Sequence, residues 1–100
     1  MYDMKHLEKF KALEVHAPAA MKAFIEFDRA AWSHGAIPRK YKELIAVAVA
    51  LSIQCPYCIE LHVERARKFD ASEKEIAETV LAAGALRAGG AITHGTHALE

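Results

Sequence analysis

Apolar residues recur along this chain at helical spacing, and proline and glycine divide the pattern into segments. Leu7, Phe10 and Leu13 share one face of a first helix over residues 5–13. Pro18 falls where a first-turn proline is tolerated, and Met21, Phe24, Ile25, Phe27 and Trp32 carry a second helix to about residue 33. At this spacing Phe24, Phe27 and Trp32 read as core residues, not as an aromatic box for a cofactor. His34-Gly35-Ala36-Ile37-Pro38 is a break, with glycine ending one helix and proline opening the next. The third helix runs from Pro38 or Arg39 to about Ile53. After a basic, polar first turn it is apolar almost all round, as a central buried helix is. Its interleaved alanines and its length favour helix over a buried strand.

The fourth helix opens at Cys55-Pro56 and continues to about Phe69. One side carries Ile59, Leu61, His62, Ala66 and Phe69; the other carries Glu60, Glu64, Arg65, Arg67 and Lys68. Ser72-Glu73-Lys74-Glu75 has the capping-box form and starts a fifth helix that reaches about Ala88. Gly89-Gly90 then predicts a break, followed by a last short helix with Ile92, His94, His97 and Leu99. No strand signal, repeat or linker interrupts the pattern. The prediction is one all-α domain over residues 1–100, a compact bundle of five to six short helices.

Composition narrows the function. The 13 basic and 13 acidic residues cancel, and no basic run stands out, which argues against nucleic acid or an anionic membrane as partner. The longest apolar run, from Leu44 to Ile53, is far short of the roughly 20 residues that span a bilayer. The first residues lack the apolar core of a secretory signal, so the cytoplasm is the expected location. Hydrophobic residues make up 53% of the chain, above the usual share of about 45–50%. The surplus is largely alanine, and some of it is available for a subunit interface.

Chemistry concentrates in the stretch from Glu43 to His62. It holds both cysteines of the chain, as Cys55-Pro56-Tyr57-Cys58, and a histidine one turn beyond them. So small a loop cannot staple a fold; in a reducing compartment such a pair signals redox chemistry or metal. Residues three and four apart share a helix edge, which aligns Cys55, Cys58 and His62. Cα atoms three apart on a helix are about 5 Å from each other, inside the window for a disulfide. The free N–H groups at the helix start favour a thiolate, so the pair can cycle between dithiol and disulfide with little backbone movement. His62 adds a titratable base within reach of Cys58. Glu43 taken alone is an ordinary first-turn glutamate, and its spacing argues neither for nor against contact with His62. A zinc module using Cys55, Cys58, His62 and either His94 or His97 is the competing reading, and a redox-sensing helical oligomer is another.

Glu43, eleven intervening residues, Cys55-x-x-Cys58, three residues and His62 together resemble the active-site pattern of the alkyl hydroperoxidase D-like branch of the carboxymuconolactone decarboxylase family. Ala82-Ala83-Gly84-Ala85 and the glycine pair near the C-terminus fit the same resemblance, which covers most of the chain from about Pro18 to His97. It implies an all-α protein that forms trimers or hexamers and needs neither metal nor organic cofactor. It also implies roles. Cys58 is the peroxidatic thiol, oxidised to a sulfenic acid by a hydroperoxide; Cys55 resolves it to a disulfide; His62 and Glu43 relay protons. The reductant is an external dithiol or a lipoyl protein. Tyr57 departs from the pattern, standing where the best-characterised hydroperoxidase has a histidine, and tyrosine is a poor acid or base near neutral pH. That points to weaker peroxidase activity or a different substrate. The decarboxylases proper lack the cysteine pair, so lactone decarboxylation is not expected.

Overall fold

The three prolines set three helix starts. The structure, a computed structural model, describes residues 3–100. After a 3-10 segment at Met4–Lys9 come five helices: α1 (Phe10–His16), α2 (Pro18–Trp32), α3 (Arg39–Ser52), α4 (Pro56–Lys68) and α5 (Glu73–Gly95), with a closing 3-10 turn at Thr96–Ala98. Pro18 and Pro56 occupy the first turns of α2 and α4, where a missing N–H removes no helix bond, and Pro38 is the residue preceding α3. No strand occurs among the described residues, and the chain is all-α.

Two boundaries depart from the periodic reading. The first helix is split: the Asp3 carboxylate accepts from the Lys5 N–H and opens the 3-10 segment, and α1 then runs on to His16. The break expected at Gly89-Gly90 does not form, and α5 is continuous to Gly95. Each glycine costs a helix about 1 kcal/mol relative to alanine. Both keep ordinary negative φ angles, however, and the flanking alanines, Leu86 and Arg87 are strong helix formers. Without a proline, two glycines do not terminate this helix.

A three-residue link joins α3 to α4. Ile53 ends α3, Gln54 takes a left-handed conformation at φ 55°, and Cys55 caps α4. So short a connection folds the two helices back on each other as an antiparallel pair. Arg87 of α5 reaches across to donate to the Ser52 carbonyl at 2.7 Å, occupying one of the carbonyls that α3 leaves open at its end. At the far end of α4, Asp70 sits at φ 69°. The Ala71 and Asp70 N–H groups donate back to Ala66 and Arg67, a Schellman ending.

The core lies where α3 meets α4 and α5. Leu44, Ala46, Val47 and Ala50 of α3 and Ala66 of α4 are buried, the alanines letting the backbones approach closely. Compactness is confined to this region. The radius of gyration is 16.7 Å, against about 13 Å for a close-packed chain of this length. α1 packs on α2, which touches α3 only sparsely. Three expectations of burial change as a result. Phe27 is 71% exposed and Phe24 half exposed, while Trp32 alone of the three aromatics is part-buried. α3 is buried on one side only: Ile45, Val49 and Ile53, four residues apart, form an exposed apolar stripe on the other.

The start of α5 is tied down by the predicted capping box. The Glu75 N–H donates to Ser72 Oγ at 3.1 Å and the Ser72 N–H donates to Glu75 Oε1 at 2.9 Å. Lys40 Nζ lies 3.0 Å from Glu75 Oε2, joining α3 to α5. The Ser72 backbone N–H, and then the Lys40 hydrogen bond, hold the Glu75 carboxyl below its ordinary 4.5. The same bond to Glu75 raises Lys40 above its ordinary 10.5. The stability from Glu75 is therefore complete above pH 4.5 and is lost as pH falls through the lower folded-state value. That from Lys40 is complete below pH 10.5 and is lost as pH rises through the raised value. Ser72→Ala should cost about 1 kcal/mol, or roughly 4–8 °C in Tm. Glu75→Gln should melt below the parent at neutral pH, with the gap closing as the pH falls below 4.5. A gap that stays constant from neutral pH to pH 3 would show that Glu75 does not carry the acid limb.

Candidate active site

Cys55 and Cys58 are positioned by the way α4 begins. Cys55 adopts extended backbone angles as the N-cap, Pro56 follows in the first turn, and the Cys58 N–H donates to Cys55 Sγ at 3.3 Å. The two Cα atoms are 5.3 Å apart, and the sulfurs are joined in a disulfide. This is the spacing that a helix start imposes on a Cys-x-x-Cys pair. The cap also means that a thiolate on Cys55 would receive a backbone N–H and the positive end of α4.

The α3–α4 hairpin brings Glu43 to His62. Glu43 lies eleven residues before Gln54 and His62 eight after it, and the antiparallel fold about that turn brings them into contact. His62 Nδ1 is 2.6 Å from Glu43 Oε1, donating to the carboxylate. The second oxygen, Oε2, accepts from Arg39 Nε at 3.0 Å. The Glu43 side chain is 0% exposed and that of His62 is 13% exposed. A buried carboxylate is tolerated only when both oxygens are paired, and here both are. The Trp32 ring packs on His62 at 5.1 Å between centroids, itself held by its indole N–H donating to Asp28 at 2.9 Å. With Nδ1 engaged by Glu43, His62 keeps Nε2 for proton exchange.

Cys58 and His62 open onto one cavity of about 330 Å³, walled mainly by apolar side chains including Phe10, Met21, Phe24 and Leu61. Tyr57 stands on the same wall, its hydroxyl oxygen accepting from the Asp3 N–H at 3.3 Å. The structure brings the four residues singled out in the sequence together: Cys55 is bonded to Cys58, Cys58 and His62 line one cavity, and His62 pairs with Glu43. Two neighbours escaped notice. Arg39 had a signal, standing four residues before Glu43 where helical side chains pair. Trp32 had none beyond its aromaticity. The His94 and His97 rings lie 5.1 Å apart between centroids, tilted at 54° to each other. Among the described residues no group of three or more His, Cys, Asp and Glu side chains is placed to hold a metal ion. No helix among them is long and apolar enough to cross a membrane.

Known proteins share this chain and its fold. A protein described as uncharacterised protein 4 in the cox locus of Paracoccus denitrificans is 43% identical over 77 residues, 77% of this chain and 69% of that protein. The crystal structure of an apo carboxymuconolactone decarboxylase family protein from Legionella pneumophila superposes with a TM-score of 0.77 and 32% identity, covering 93% of this chain and 83% of that one. An alkyl hydroperoxide reductase of Mycobacterium tuberculosis is 38% identical over 55 residues, 55% of this chain but only 15% of that protein. The profile of the carboxymuconolactone decarboxylase family matches residues 18–100, from the first residue of α2 to the last of the chain, and the protein belongs to that family.

Proposed function

We propose that the protein is a thiol-dependent peroxidase that reduces organic hydroperoxides through its Cys55/Cys58 pair. The observation that carries this reading is the shared cavity: a cysteine of a redox-active pair and a histidine oriented by a buried carboxylate face the same apolar space. The partial likeness to an alkyl hydroperoxide reductase supports the same reaction class.

The reaction balances with this chain's own residues. In the reduced protein His62 takes the Cys58 proton at Nε2, and Glu43 accepts from Nδ1–H of the imidazolium so formed. The Cys58 thiolate attacks the distal peroxide oxygen. The O–O bond breaks, and the alkoxide leaves as an alcohol with the proton from His62. Cys58 is now a sulfenic acid. The Cys55 thiol loses its proton to give the thiolate that the N-cap favours, which attacks that sulfur; the S–O bond breaks and the leaving hydroxide takes up the released proton as water, giving the Cys55–Cys58 disulfide. Two electrons from an external dithiol or a lipoyl protein restore both thiols. The cycle invokes no metal or organic cofactor, and a reducing cytoplasm is the compartment that suits it.

We also propose that the working form is a homo-oligomer, a trimer or hexamer. The stripe of Ile45, Val49 and Ile53 on α3 and the exposed Leu81, Leu86 and Ile92 of α5 are the surfaces a second copy would bury.

Three measurements test these proposals. One equivalent of cumene hydroperoxide should oxidise the pair to the intramolecular disulfide. Cys58→Ser should consume no peroxide, and Cys55→Ser should stop at a sulfenic acid trapped by dimedone. Peroxide consumption by Cys58→Ser at the parent rate would sink the assignment of the nucleophile. His62→Gln should slow the oxidation by about 10²–10⁴-fold, the usual contribution of a positioned base. Light scattering should give three or six times the 11.0 kDa chain mass, and a monomer mass would refute the assembly.

A further inference from the structure

Arg39 touches the relay from outside the proposed proton path. Its Nε donates to Glu43 Oε2 at 3.0 Å, on the carboxylate oxygen opposite the one that holds His62. Its guanidinium carbon lies 4.8 Å from the centre of the Phe69 ring, at the end of α4. One side chain therefore bridges the first turn of α3 and the last turn of α4, with the carboxylate between them. The Arg39 side chain is 30% exposed and borders a second, polar cavity with Asp28, Trp32 and Arg65, while its Nε faces the buried oxygen.

The geometry fixes what this contact does. A carboxylate held at one oxygen can still turn about the bond to its side chain, and each turn carries Oε1 away from His62. Held at both oxygens by donors on different helices, it cannot. Oε1 then stays aimed at Nδ1, and an imidazole donating from Nδ1–H carries its lone pair on Nε2, the nitrogen needed as base at Cys58. A guanidinium suits this task better than an ammonium, because its planar fork is pre-organised against a carboxylate and its face stacks on an aromatic ring. We propose that Arg39 is a positioning residue that locks Glu43, and through it sets His62 in the Nδ1–H tautomer that serves Cys58. The inference rests on the peroxidase reading for its catalytic consequence but not for its structural one.

The test compares the parent with Arg39→Met, Arg39→Gln and Arg39→Lys, all reduced and at one pH. Nitrogen-15 NMR of labelled histidine reads the His62 tautomer; hydroperoxide turnover reads kcat and KM. The parent should show the Nδ1–H form. Arg39→Met, or Arg39→Gln should the methionine variant fail to fold, should move His62 toward the Nε2–H form that a free histidine side chain prefers. The same variant should lower kcat by about tenfold to a hundredfold, the scale of a small misplacement at a reacting centre, with KM little changed. Arg39→Lys should recover part of both. A folded Arg39→Met or Arg39→Gln protein with the parent's tautomer and the parent's kcat overturns the proposal and leaves Arg39 a stabilising contact only. A parent that turns over no hydroperoxide defeats the peroxidase reading, while the tautomer measurement still decides Arg39.

Discussion

The buried carboxylate of Glu43 is the constraint on which the rest of the structure depends. Removing a carboxylate from water costs several kcal/mol even after the protein relaxes, and deleting one partner of such a pair typically costs about 3–5 kcal/mol. The cost is bearable only because Arg39 and His62 occupy both oxygens. That requirement fixes the register of α3 against α4. A slip of one turn would move His62 about 5.4 Å along the helix, leaving the carboxylate half-paired and the imidazole without its anchor. Cys58 lies one turn before His62 on the same helix, so the pairing that sets the register also places Cys58 on the helix edge that carries the imidazole.

Around this pair the packing is economical. The fully buried apolar side chains belong to the middle of α3 and to Ala66, and most are alanine or valine. Small residues let α3, α4 and α5 approach closely but bury little area each, so the backbone links carry much of the order: the left-handed Gln54, the Schellman ending at Asp70 and the Ser72 capping box. The cavity wall is built differently. Phe10, Met21 and Phe24 come from α1 and α2, which make few contacts with the α3–α4–α5 core. A rigid hairpin thus carries the reactive groups while a loosely held pair of helices shapes the space in front of them, and such weakly packed elements lie at the low-stability end of a fold.

Most of this organisation was legible in the sequence because it rests on local physics. Prolines 18, 38 and 56 marked helix starts to within a residue, and Ser72 with Glu75 marked another. The Cys55–Cys58–His62 edge followed from helix spacing. The partnership of Glu43 with His62 was open on spacing alone. Counting outward from Gln54 along two antiparallel helices leaves it open too, since the two residues stand eleven and eight positions from the turn, a mismatch of most of a helical turn. The misreadings share a different origin. Gly89-Gly90 was read by propensity, which a run of strong helix formers outweighs. Phe27 and the outer face of α3 were read as core because periodicity reports that a face is apolar, not what covers it. Among the described residues these side chains stay about half or more exposed.

Tyr57 then takes on a meaning its position in the motif did not give it. In the pattern that the motif resembles, a histidine stands at this position, and the proposed reaction has no imidazole there. The structure shows that its hydroxyl is an acceptor for the Asp3 N–H and that it lines the cavity wall. In the proposed reaction the proton is carried by His62, a side chain whose ordinary value lies near neutrality and whose other ring nitrogen is held by Glu43. That concentrates the acid–base work on a single imidazole and explains why its orientation is fixed from so many sides: Glu43 at Nδ1, Trp32 against the ring and Arg39 behind the carboxylate.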